Sequence, residues 1–109
     1  VSACSRHDID AKTKNRFMWF GSLAGAAERC YGSRSISDAV GALRTDTANA
    51  EAMRLYDEAY KTGIAQGRVW IGKQGKYSEP YNCSTEKDVQ ELKHWEQIIV
   101  SDLDRLLAR

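Results

Sequence analysis

Few residues in this chain could do chemistry. Two histidines and three cysteines are spread through 109 residues, and only one histidine stands at a chemically meaningful spacing. Glu91-x-x-His94 would put a carboxylate and an imidazole on one helix face, which is half of a di-metal carboxylate site in a helical bundle. The full site needs a second Glu-x-x-His and two more carboxylates on facing helices, and the sequence holds no second copy of the motif. His94, beside Trp95, therefore reads as a boundary residue of an amphipathic helix. An enzyme pairing His94 with a nearby carboxylate ranks last among the functional readings. His7, in a polar stretch, reads as solvated. No Cys-x-x-Cys is present for redox or zinc chemistry, and GRVWIGKQG lacks the Gly-Lys-Ser/Thr ending of a phosphate loop. Asn82-Cys83-Ser84 fits a glycosylation acceptor, but a bridged cysteine at its centre argues against use. No metal and no cofactor are expected.

The three cysteines divide unevenly. A Cys30–Cys83 disulfide would close a loop of more than fifty residues, which chain entropy values at roughly 4 kcal/mol. The alternative is a pair of ordinary buried thiols. Cys4 is left over. It ends Val1-Ser2-Ala3-Cys4, an aliphatic residue, two small residues and a cysteine, which resembles the lipobox of bacterial lipoproteins. The resemblance implies that Cys4 carries diacylglycerol and that residues 1–8 form a flexible tether. Val1–Ala3 would be lost on such processing, so their presence fits an unlipidated form or cleavage just ahead of Val1. The implied location is the bacterial cell envelope, in the periplasm or anchored to the outer membrane, where disulfides persist. An exported chain with a spare thiol, or a cytosolic one with three reduced thiols, are the other possibilities.

Four helices must position these residues. The first follows Asp8 or Asp10 and runs to Tyr31, with Phe17, Phe20, Leu23 or Ala24, Ala27 and Tyr31 inward and Gly32 closing it. Its Gly21-x-x-x-Gly25 patch reads as a close contact with another helix inside a water-soluble bundle. A short helix starts at Ser35, where Ser35-x-x-Asp38 resembles a capping box, and turns Ile36, Val40 and Leu43 inward. The third runs from Asp46 or Thr47 to Gln66, burying Ala52, Met53, Tyr56, Ala59 or Tyr60, and Gly63. The fourth, capped at Thr85, repeats Val89, Leu92, Trp95, Ile99, Leu103 and Leu106 at helical spacing. The expected fold is an all-α bundle of three longer helices and one short one, forming a single domain.

Residues 67–83 break this pattern with three glycines and the only proline. Val69-Trp70-Ile71 and Lys76-Tyr77 could pair as a short hairpin. A connection this long implies function or a tie, and Cys83 supplies the tie. Arg68, Lys73, Lys76, Tyr77 and Tyr81 mix cations with rings, a composition that favours protein contact. The inward alternative, with Trp70, Ile71 and Tyr81 capping the bundle, competes with it. A net charge of +1 weighs against nucleic acid. The longest apolar run, FMWF, is too short to span a bilayer. The leading expectation is a non-catalytic exported binding protein of inhibitor, immunity or exclusion type that docks on a partner protein. A periplasmic chaperone holding clients on exposed apolar surface is second.

Overall fold

The computed structural model describes residues 11–107. The expectations for Cys4, His7 and the tether at 1–8 lie outside them. The described residues form α1 (Ala11–Tyr31), α2 (Ser35–Val40), α3 (Ala50–Gln66), β1 (Trp70–Ile71), β2 (Lys76–Tyr77) and α4 (Glu86–Leu107). Two short 3-10 segments, Gly41–Thr45 and Thr47–Asn49, join α2 to α3. The bundle is all-α with one small hairpin.

Helix α1 is the axis of the bundle. Of its expected inward residues Phe17, Phe20, Leu23, Ala24 and Ala27 are buried and Tyr31 is half-buried, and Met18, Gly21, Ser22, Gly25 and Ala26 between them are buried as well. Small residues allow this enclosure. A Cβ on Gly21 would lie 2.1 Å from the Tyr56 carbonyl oxygen, and one on Gly63 would lie 2.1 Å from that of Ser22. The glycines of α1 and α3 therefore let the two backbones touch, which is the contact read from Gly21-x-x-x-Gly25. The main core gathers Phe20, Leu23, Ile36, Val40, Tyr56, Leu92, Ile99 and Leu103. A second cluster, Met18, Leu55 and Ala59, lies under Trp70 and Tyr77. Each fully buried Leu or Ile contributes about 1.5–3 kcal/mol relative to exposure.

Helix α4 departs from its expected stripe. Leu92, Ile99 and Leu103 point inward as read, but Trp95 is 36% exposed and Leu106 is 38% exposed. The fourth inward residue is Glu96. The reason is what α4 faces there: the Tyr31–Ser35 connection, rich in hydroxyls, which an indole could not satisfy and a carboxylate can. The capping box at Ser35 is also absent. Arg34 precedes α2 with no side-chain cap bond, because the Ser35 hydroxyl donates instead to Glu96 Oε2 at 2.6 Å. Asp46 does cap, though it caps a 3-10 turn by accepting from the Ala48 N–H at 2.9 Å.

The hairpin forms as the glycines suggested, with Trp70 opposite Tyr77 and Ile71 opposite Lys76. Gly75 takes φ +64°, which closes the turn. Cys30 and Cys83 form a disulfide with Cα atoms 4.7 Å apart, across 53 residues of sequence. It ties the end of α1 to the approach of α4.

Candidate binding groove

Three tryptophans, all that the chain contains, line one open groove of about 730 Å³. Trp19 comes from α1, Trp70 from the hairpin and Trp95 from α4. Each is held by a different device. The buried Ser22 hydroxyl accepts the Trp70 backbone N–H at 2.8 Å and donates to the Trp19 carbonyl at 3.1 Å, locking the hairpin to α1. The Trp70 indole N–H donates to Asn15 Oδ1 at 3.0 Å, fixing the ring plane. Trp95 meets Trp19 edge to face, with ring centroids 5.8 Å apart. Glycine at 72 matters because a Cβ there would come within 3.0 Å of the Asn15 side chain.

Tyr81 closes one end. Burial first, then the nearby Glu91 carboxylate, pushes its pKa up to about 12. The hydroxyl therefore stays protonated beside Glu91. The charged lining is lopsided: Lys12, Arg16 and Lys73 against the single carboxylate of Asp102. None of the three cations has a partner among the described residues. Asp102 is paired with Arg105.

The five residues read as a partner surface do not share one face. Lys73 and Tyr81 line the groove. Arg68 turns back on its own arm, donating to the Ser78 carbonyl at 3.1 Å and lying 3.7 Å from Glu79. Tyr77 packs edge-on against Trp70 at 5.2 Å, above the second core cluster. Lys76 stays exposed at the hairpin tip. Of the inward-capping residues, Trp70 and Ile71 are half-buried and line the groove wall. Sequence reasoning missed the α1 wall altogether. The signal was there: Lys12, Asn15, Arg16 and Trp19 recur at helical spacing, a stripe of three polar residues leading to an indole at the core's edge.

The His94 motif is not assembled. Glu91 lies close enough to Tyr81 to raise its pKa, while the exposed His94 ring lies against Trp95, 5.1 Å between centroids. Among the described residues no group of three or more His, Cys, Asp or Glu side chains could hold a metal ion.

A second polar cluster lies on α4's inward face, outside the groove's lining. Glu96 accepts from Tyr31 at 3.0 Å, from Ser35, and from Ser33 in a very short contact. Burial, then Glu96, holds the Tyr31 hydroxyl well above the usual tyrosine range. Its donors all come from one connection and no cavity opens onto it in the groove's lining, so its work is to fasten that connection to α4.

The chain matches no protein-family model, and no curated protein or solved structure is significantly similar to it. No helix among the described residues is long and apolar enough to cross a membrane.

Proposed function

We propose that this is a non-catalytic, exported binding protein of the bacterial cell envelope, of inhibitor, immunity or exclusion type, that docks on a partner protein through the tryptophan groove. The observation that carries the reading is the groove itself, an open cleft holding every tryptophan of the chain on walls fixed by Ser22, Asn15 and the hairpin. Aromatic rings held rigid before binding lose little entropy on contact and bury much area, which is how interface hot spots are built. The Cys30–Cys83 bridge supports an oxidising compartment. Lipidation at Cys4 would then tether the domain where the partner resides.

A photo-crosslinking residue placed at Lys73, on the groove, and at Arg54, on the outer face of α3, tests this in the native host. A single discrete adduct from position 73 and none from position 54 is the expected result. Equal adducts from both positions, or none from either, would overturn it. The chaperone reading is favoured only by the exposed Trp95, Leu106 and Leu107. It predicts a broad smear of clients at position 73 in place of one band.

A further inference from the structure

The groove also shows what kind of segment it takes, an inference that rests on the docking reading above. Its polar lining is almost all donor. Lys12, Arg16 and Lys73 bring three unpaired cations, and the indole N–H groups of Trp19 and Trp95 have no acceptor among the described residues. Its acceptors are already used. Ser78 Oγ takes the Val69 N–H and donates to the Glu79 carbonyl, the Tyr81 hydroxyl stays protonated beside Glu91, and Asp102 is paired with Arg105. A guest that fills this space must bring carboxylate or other anionic oxygens to the rim and an apolar body to the aromatic floor.

We infer that the groove receives an acidic segment of a partner protein, with one large apolar side chain seated between the Trp19–Trp95 wall and Trp70 and flanking carboxylates reaching Arg16, Lys12 and Lys73. Charge decides between this guest and a polyanion. A single-stranded nucleic acid needs a continuous basic track, and its affinity scales with the phosphates neutralised. Here the three cations share the lining with Asp102, whose Arg105 partner lies outside it, and the whole chain carries only +1. A protein segment can place its few acids where the cations are and leave the Asp102 wall uncharged.

The test uses the intact, oxidised chain and its own fluorescence, since all three tryptophans report from this one site. A short synthetic peptide alternating Glu and Phe is titrated, with Gln-for-Glu and Lys-for-Glu versions beside it. The acidic peptide is expected to shift and quench the emission saturably, with the Gln version at least about tenfold weaker and the Lys version inert. The double reversal Arg16→Glu with Lys73→Glu, both at exposed positions, is expected to abolish the acidic response and create one to the Lys peptide. Arg16→Gln with Lys73→Gln serves as the milder variant and should weaken the acidic peptide only. Equal binding of the Glu and Gln peptides would overturn the inference. So would a response to oligothymidylate or to anionic phospholipid vesicles that the acidic peptide fails to give. A partner crosslinked at Lys73 whose binding ignores the Arg16 and Lys73 reversal would sink the acidic guest while leaving the docking reading in place.

Discussion

Removing the carboxylate of Glu96 would take the acceptor from the half-buried Tyr31 and Ser33 hydroxyls and from Ser35, leaving the two serines only their bond to each other. The penalty of such orphaned groups exceeds the net worth of the bonds themselves. Glu96→Ala is expected to lower unfolding free energy by about 3 kcal/mol in urea denaturation, and Glu96→Gln, which keeps one oxygen acceptor, by about half that. A loss under about 1 kcal/mol for the alanine variant would mean that water already satisfies the hydroxyls. This residue could not be read from the sequence. A glutamate within a charged helix looks solvated, and its three partners lie more than sixty positions away, so only the folded connection explains it. Trp95, one position earlier, took its place in the apolar stripe for the same reason: periodicity assigns faces by hydrophobicity and is blind to what lies opposite.

Elements were far more legible than residues. The glycine patch of α1, the apolar spacing of α3 and the glycine-bounded hairpin follow from local chemistry that the chain displays in order, and the Cys30–Cys83 pairing from the count of three cysteines with Cys4 set aside. What local chemistry cannot supply is the crossing of α1, the hairpin arm and α4 that makes the groove, because its walls come from three distant stretches. Helix packing is tightest where α1 meets α3, and two glycines make opposite predictions there and elsewhere. Gly63→Ala would drive a methyl group into the Ser22 backbone at 2.1 Å, which no rotamer can relieve, and is expected to cost about 3 kcal/mol. Gly41→Ala meets nothing within 4 Å and keeps an ordinary right-handed backbone at φ −53° and ψ −37°. It is expected to gain about 0.4–1 kcal/mol by restricting the unfolded chain. Thermal or urea unfolding of the two variants checks the pair, and a shared sign would refute the packing account.

Over the whole molecule, 109 residues enclose a modest core, so the covalent bridge matters disproportionately. Linking Cys30 to Cys83 across 53 residues removes loop entropy from the unfolded chain worth about 4 kcal/mol, a large share of the usual 5–15 kcal/mol of a small domain. The bridge acts on the unfolded state, whereas the groove is shaped by noncovalent bonds. Trp70 is tied to Ser22 at 2.8 Å, the Ser78 N–H to the Val69 carbonyl at 2.8 Å, and the Tyr81 N–H to the Gly67 carbonyl at 2.8 Å. The double variant Cys30→Ala with Cys83→Ala should therefore unfold in urea with about 4 kcal/mol less stability and a steeper slope, because its released unfolded chain exposes more surface. Its tryptophan emission before the transition should match that of the oxidised protein. If that emission instead moves to the red in buffer alone, the groove's walls depend on the bridge directly, and the division of labour between covalent brace and hydrogen-bonded site does not hold.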